Sequence, residues 1–200
     1  MVKGVLKRVG VVADTHVPDR IDRLHPNLLA ELRRQGVEMI LHAGDISAPR
    51  VLAELAEVAP VEAAFGNRDF PFNGSLSWVN QLEIAGTRVA LMHGHGSWWH
   101  YFWDKWVYVA KGYQLERYQR LVLRAAQGAR VVIFGHTHHA EAVWVGQQLL
   151  FNPGSATHGF RRHLQPTYGV LDFRSDGAVE SSIIPLEGYR WEKGAWLKTS

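Results

Sequence analysis

Short apolar runs alternate with polar loops along this chain. Val5 to Ala13 is a β-branched run that breaks off at Asp14-Thr15-His16, so it reads as a buried strand ending in a polar loop. Leu24, Leu28, Leu29 and Leu32 recur at helical spacing within Ile21 to Arg34, and Gly36 follows as a stop. Val37 to His42 predicts a second strand that runs into Ala43-Gly44-Asp45. Pro49 to Val58 predicts a helix, and Val61 to Phe65 a third strand ending in Gly66-Asn67-Arg68-Asp69. This strand, helix, strand, helix rhythm points to a parallel sheet with crossover connections.

The second half changes character. Gln81 to Ala85 and Arg88 to His93 flank Gly86-Thr87 and read as a hairpin. Tyr113 to Gln127 has a helical pattern ended by Gly128, and Arg130 to Phe134 is a strand that ends in Gly135-His136-Thr137-His138. The short alternating runs Glu141 to Val145, Gln148 to Phe151, Tyr168 to Phe173 and Ala178 to Ile184 point to antiparallel pairing. Two mixed sheets packed face to face with helices outside satisfy the pattern. Tyr189 to Ser200 has no clear period and receives no assignment.

Composition narrows the class. Two hundred residues with 46% hydrophobic and 20% charged content describe a globular protein with a real core, read as a single domain over residues 1–200. No apolar run approaches the ~20 residues of a membrane-spanning helix. The N-terminal run is too short for a secretory signal, so a cytoplasmic location is expected. Cysteine is absent, which removes disulfide and thiolate chemistry. The net charge of +3 and the lack of any run of five basic residues argue against a nucleic-acid partner. Eleven His and eight Trp are unevenly placed, and their positions carry the chemistry.

Asp14, His16, Asp45, Asn67, Asp69, His93, His95, His136 and His138 all follow directly after predicted strands, where ligand sites of α/β sheets gather. Taken singly, each reads as a turn residue, a cap or a solvated histidine. Jointly they bring carboxylate, imidazole and amide groups to five strand ends. In extended backbone, residues i and i+2 point the same way, so Asp-x-His and His-x-His can each offer two side chains to one ion. Such donors suit Mn²⁺, Fe²⁺, Zn²⁺ or Co²⁺ rather than Ca²⁺. Seven of them are too many for one tetrahedral ion and about right for two ions sharing a carboxylate.

The ordered motifs Asp14-Thr15-His16, Gly44-Asp45, Gly66-Asn67-x-Asp69, His93-Gly94-His95 and Gly135-His136-Thr137-His138 resemble those of the calcineurin-like metallophosphoesterases, specifically the small single-domain bacterial and archaeal phosphodiesterases. Asn152-Pro153-Gly154-Ser155 matches a further motif of that subgroup, and the resemblance runs from about Val9 to about Val170. It implies a four-layer αββα sandwich and a site for two divalent transition-metal ions, with Mn²⁺ expected first and Fe²⁺, Zn²⁺, Ni²⁺ or Co²⁺ as alternatives. Carried over position by position, one ion falls to Asp14, His16 and His138 and the other to Asn67, His93 and His136, with Asp45 between them. The implied activity is hydrolysis of small organic or nucleotide phosphodiesters by a dimetal-bound hydroxide. Phosphomonoesters and dinucleoside polyphosphates are alternative substrates of the same site. A retromer subunit that shares the fold acts mainly through protein contacts, which makes a scaffold the rival from another class.

One departure from the family is informative. Many members carry His where this chain has Arg68, and Arg cannot be a general acid because its pKa exceeds ~12. Arg68 can instead grip a phosphate oxygen bidentately. His95 then becomes the candidate for general acid or phosphate contact, with Asn67 and Asp69 as further catalytic candidates, Asp69 orienting Arg68 or a metal ligand. His42 reads as a strand-end core histidine that could also support a ligand. His25, His100, His139, His158, His163 and Arg161-Arg162 take core or solvated readings.

The segment Ser97 to Tyr108 holds seven of the chain's 22 aromatic residues and forms an insertion at about residues 97–112. Trp99, Phe102, Trp103 and Trp106 fit a helix packed on the core. The same residues would serve a homo-oligomer contact, or a lid that stacks on a nucleobase or aryl group.

Overall fold

The computed structural model describes residues 4–72, 74–94, 120, 122–126, 128–158 and 165–199. His95, the aromatic insertion at 97–112 and most of the helix expected over 113–127 lie outside these residues, as do Arg161, Arg162 and His163.

Two five-stranded mixed sheets form the centre. The first has the order β10-β9-β1-β2-β3, built from β1 (Val5–Val12), β2 (Met39–His42), β3 (Val61–Ala63), β9 (Thr167–Arg174) and β10 (Val179–Pro185). The second has the order β4-β5-β6-β8-β7, built from β4 (Val79–Ile84), β5 (Thr87–Met92), β6 (Val131–Ile133), β7 (Glu141–Val145) and β8 (Gln148–Asn152). β1, β2 and β3 run parallel, as do β5, β6 and β8, so six carboxyl ends point to one side. Antiparallel pairing holds for the β4–β5 hairpin and for β7–β8, β1–β9 and β9–β10. The run at 148–152 thus has one antiparallel neighbour and one parallel neighbour, where its alternation suggested only the former.

The two-residue period of the strands sorts the layers. Val9 and Val11 of β1 and Val89 and Leu91 of β5 point into the core between the sheets, with Leu41, Val131 and Ile133. On the other face of the first sheet, Val12, Ile40 and Tyr168 meet Leu28 and Leu32 of helix α1 (Leu28–Gln35) and Val51 and Leu55 of helix α2 (Pro49–Ala56). On the outer face of the second sheet, Ala90, Met92 and Val132 pack against Val122 and Ala126. The layers are therefore helix, sheet, sheet, helix. Among the described residues no helix is long and apolar enough to cross a membrane.

Two expectations change. The helix expected from Ile21 begins only at Leu28, because Pro26 disfavours helical backbone at His25. Its apolar spacing upstream comes instead from a turn-rich loop whose Ile21 and Leu24 are buried against the first sheet's outer core. The stretch left unassigned forms a separate hairpin, β11 (Tyr189–Glu192) with β12 (Ala195–Lys198). It packs on that loop: the Trp196 ring lies 4.7 Å from His25, and Tyr189 stands edge-on at 5.8 Å.

Burial of His25 there pushes its pKa down to about 4, and the Asn27 N–H donated to its Nδ1 also favours the neutral ring. The unfolded chain therefore takes up this proton first. The contribution is complete above pH ~6.5 and is lost as the pH falls toward the folded value. Thermal melts of metal-free protein should show Tm dropping over this window, with part of the drop removed in His25→Gln. A parallel pH profile in the variant would show that this ring does not couple the hairpin to pH.

Candidate metal centre

Each ligand candidate sits at the carboxyl end of a parallel strand: Asp14 and His16 after β1, Asp45 after β2, Asn67 after β3, His93 after β5, His136 and His138 after β6. These strand ends come from both sheets, so the cluster straddles the seam between them. Asp14, His16 and His93 are fully or almost fully buried, and Asp45 and Asn67 nearly so.

The backbone does not present these side chains in the extended form that the i, i+2 spacing suggested. Asp14, His16, Asp45, His136 and His138 all have positive φ, between 51° and 68°. Such left-handed residues cost about 1–3 kcal/mol each and persist only where the surroundings enforce them. Here the surroundings are hydrogen bonds between the loops. Asp14 N–H donates to Gly44 O and His16 N–H to Asp45 O, both at 3.0 Å. Ser155 Oγ donates to Asp14 O at 2.9 Å, and Thr157 Oγ1 donates to Thr15 O. Asn152 donates its amide to Gly135 O and Thr137 Oγ1, so the Asn152-Pro153-Gly154-Ser155 motif braces both the Asp14 and the His136 loops. Two glycines permit the close approach. A Cβ on Gly66 would lie 2.1 Å from Asp45 N, and one on Gly44 (φ 82°) would lie 2.8 Å from the His93 ring.

The distances divide the cluster into two groups that share Asp14. His16 Nε2 and His138 Nε2 are 3.2 Å apart, and Asp14 Oδ1 is 3.3 Å from the latter and 3.9 Å from the former. Asp45 Oδ1 lies 3.3 Å from His93 Nε2, and Asp45 Oδ2 lies 3.8 Å from His16 Nε2. Asp45 therefore reaches toward both groups. Asn67 Oδ1 is 3.2 Å from His93 Nε2, and the His136 ring stands edge-on to His93 at 5.1 Å.

This arrangement fits divalent cations. Asp14 Oδ1 is buried and has no hydrogen-bond partner among the described residues. His138 Nδ1–H is directed at the His158 carbonyl at 3.2 Å, and His93 Nδ1–H at Ala43 O at 2.7 Å. Those bonds fix how each ring is turned and leave each Nε2 facing the cluster, which is how metal-binding imidazoles are oriented. Two Nε2 atoms 3.2 Å apart need a proton or a cation between them.

Charge in the metal-free chain follows the same logic. Burial alone would raise Asp14, but His138 and His93 hold it down at about 2. Burial would likewise raise Asp45, and His93 holds it well below the carboxylate range. Burial pushes His16 down to about 3 and His42 and His136 to about 4, so these rings are neutral. His93 is the exception: burial opposes its charge, but Asp45 overrides this and raises it to about 10. A cation that takes Nε2 of His93 must displace that proton, so binding strengthens as pH rises.

Asp69 holds backbone amides and Arg68 pairs with Asp19, so the Asp69–Arg68 pairing that the sequence offered as one alternative is not the one formed. Asp69 turns away from the open side of the cluster, and its carboxylate accepts four backbone N–H groups, from Asp45, Ile46, Ser47 and Gly66, at 2.7–3.0 Å. It clamps the Asp45 loop rather than Arg68. Burial pushes its pKa up, opposed by the amides of Ser47 and Gly66. Arg68 holds Asp45 Oδ1 through its backbone N–H at 3.0 Å, while its guanidinium pairs with Asp19 at 3.1 Å instead of entering the cluster. Asp19 in turn lies 3.6 Å from His16 Nδ1. His42 is fully buried beneath the site, with Nε2 3.1 Å from Thr15 Oγ1.

His158, read from sequence as a solvated loop residue, is at the site. Its ring lies 4.6 Å from that of His138 and parallel to that of His16 at 6.4 Å. Arg20 Nη1 donates to His158 Nε2 at 3.0 Å. The one sequence signal for this was position, three residues after Ser155.

Known proteins with related chains agree with this architecture. The family model for the calcineurin-like phosphoesterase superfamily domain matches residues 8–176, so β11 and β12 lie beyond it. A probable metallophosphoesterase of Methanothermobacter thermautotrophicus is 38% identical over 177 residues, covering 88% of this chain and 91% of that protein. A phosphodiesterase of Methanocaldococcus jannaschii is 25% identical over 183 residues, 82% of this chain and 92% of that one. Among solved structures, Vps29 of Entamoeba histolytica in complex with zinc superposes with a TM-score of 0.60 at 24% identity over 89% of this chain and 98% of its own, a likeness of fold. Since the family model covers residues 8–176, with every strand end that carries a ligand candidate, the chain belongs to the calcineurin-like phosphoesterase superfamily.

Proposed function

We propose that this protein is a metal-dependent phosphodiesterase acting on small organic or nucleotide phosphodiesters. The observation that carries the reading is the pair of ligand groups sharing Asp14, one with His16 and His138 and one with Asp45 and His93. In this reading Asp14, His16 and His138 hold one divalent ion, Asn67, His93 and His136 hold the other, and Asp45 lies between them. Two such ions, Mn²⁺ foremost, acidify bound water and clamp a phosphoryl group for in-line displacement.

The chain's own groups prepare the site for an anion. Asp14 and Asp45 offset only part of the charge of two divalent cations, so the loaded pocket attracts a phosphate ester. The N–H of His136 donates to Asp14 Oδ2 at 3.0 Å and the N–H of Arg68 to Asp45 Oδ1 at 3.0 Å, which fixes the facing of both carboxylates. Asp69 keeps the Asp45 loop in register without touching the reacting groups. Proton delivery to the leaving group falls to His95, outside the described residues. Preference for diesters is supported by the name of the Methanocaldococcus jannaschii relative.

The test uses chelator-stripped protein and bis(p-nitrophenyl) phosphate, a diester whose leaving group needs little help from an acid. Added Mn²⁺ should restore turnover, and p-nitrophenyl phosphate should react more slowly under the same conditions. Turnover of the monoester alone would reassign the substrate class. Failure with Mn²⁺, Fe²⁺, Co²⁺, Ni²⁺ and Zn²⁺ in turn would remove the enzymatic reading in favour of a protein-binding scaffold.

A further inference from the structure

The C-terminal hairpin, which lies outside the span matched to the family, reaches the cluster through one aromatic ring. Trp191 on β11 stands with its ring 5.5 Å from that of His158. His158 in turn packs on His138 at 4.6 Å, and its carbonyl faces His138 Nδ1 at 3.2 Å. A second route runs through the loop after β1. Trp191 Nε1 donates to Arg20 O at 3.4 Å, and Trp196 Nε1 donates to Arg23 O at 3.0 Å. Arg20 donates its N–H to His16 O at 2.8 Å and its guanidinium to His158 Nε2 at 3.0 Å. Both routes end on the same pair of residues, His138 through the His158 ring and carbonyl and His16 through its backbone carbonyl.

The two halves of the cluster are supported differently. His93 is fixed by Ala43 O, a carbonyl at the end of β2 within the sheet core, at 2.7 Å. His138 is fixed by the carbonyl of a loop residue, and the hairpin and Arg20 pack against that residue from outside. His138 also holds a left-handed backbone, with φ 55°, which needs enforcement by its neighbours. A partner that orients an imidazole and selects its tautomer typically changes metal affinity by about 10–100-fold.

We propose that Trp191 is a positioning residue for the Asp14–His16–His138 half of the centre, acting through His158 and Arg20, so that the C-terminal hairpin sets the metal affinity of that half alone. The inference rests on the two-metal reading above. It assigns a role to a segment that the superfamily match does not include.

The experiment titrates stripped full-length protein with Mn²⁺ against a chromophoric chelator, for wild type, Trp191→Ala, Trp191→Phe and Arg20→Met. Wild type should take up two equivalents. Trp191→Ala should weaken one of them roughly 10-fold or more and leave the other unchanged. Trp191→Phe, which keeps a ring but loses the N–H, should fall between, and Arg20→Met should reproduce the selective loss if Trp191→Ala folds poorly. Imidazole ¹⁵N spectra of the metal-free proteins supply a second readout. The Nδ1–H form of His138 should be fixed in wild type and averaged in Trp191→Ala. Equal weakening of both equivalents, unchanged affinity, an unchanged His138 signal, or a wild type that binds fewer than two ions would overturn the inference. A wild type that binds two ions, loses one selectively in Trp191→Ala and still turns over no diester would overturn the phosphodiesterase reading and leave this one standing.

Discussion

Asp45→Ala abolishes stoichiometric metal uptake and turnover together. Asp45 is the carboxylate that reaches both groups, with Oδ1 3.3 Å from His93 Nε2 and Oδ2 3.8 Å from His16 Nε2. Its removal takes one donor from each side and half of the carboxylate charge that offsets the cations. It also leaves His93 without the partner that keeps it protonated, so the metal-free site is reorganised as well. Turnover should fall to the level of the chelator-treated wild type. Metal analysis after gel filtration, paired with the diester assay, checks it. A variant that keeps one full equivalent would show that Asp45 serves one ion and is not shared.

Asp69→Asn should cost roughly 3 kcal/mol or more of stability and most of the activity, although Asp69 touches neither a reacting group nor a ligand side chain. Hydrogen bonds to a charged acceptor contribute about 1.5–3 kcal/mol each. Each carboxylate oxygen of Asp69 accepts two: Oδ1 from Ile46 and Ser47, Oδ2 from Asp45 and Gly66. An amide keeps one oxygen and turns its NH₂ toward two N–H donors, so two bonds are lost and a clash is gained. Asp45, with φ 55°, loses the clamp that holds its strained backbone. Urea unfolding of the metal-free proteins measures the first effect and metal-saturated kinetics the second. Unchanged stability with lost activity would show that Asp69 serves the catalytic groups rather than the fold of the Asp45 loop.

The two aspartates show where the sequence is legible and where it is not. Asp45 and Asp69 look alike in sequence, each an acidic residue in a Gly-containing loop after a strand. One faces the cluster and the other faces four amides, and the difference arises from how the β2 and β3 loops meet across about twenty residues of chain. Arg68 is similar: its type excludes acid chemistry, but its pairing with Asp19 depends on a loop some fifty residues earlier. His158 carried no signal beyond its place three residues after Ser155, and Trp191 carried none, because a ring contact between a loop and a C-terminal hairpin leaves no period in either segment. His95 and the aromatic insertion lie outside the described residues, so their expected roles stand as expectations.

The sequence alone is enough to read the strands from β1 to β10, the chemistry at their ends and the order of the motifs. Buried strands must be β-branched and apolar, metal donors must be carboxylate, imidazole or amide, and both requirements are met locally by residue type. The partition of strands into two sheets, the β11–β12 hairpin and the left-handed kinks at five ligand candidates come from the tertiary structure alone. It also decided which polar groups face the cluster and which brace it. Those features depend on packing between segments up to about 170 residues apart, as in Trp191 and Arg20. A backbone angle that is unfavourable on its own is held only by neighbours that the fold brings to it.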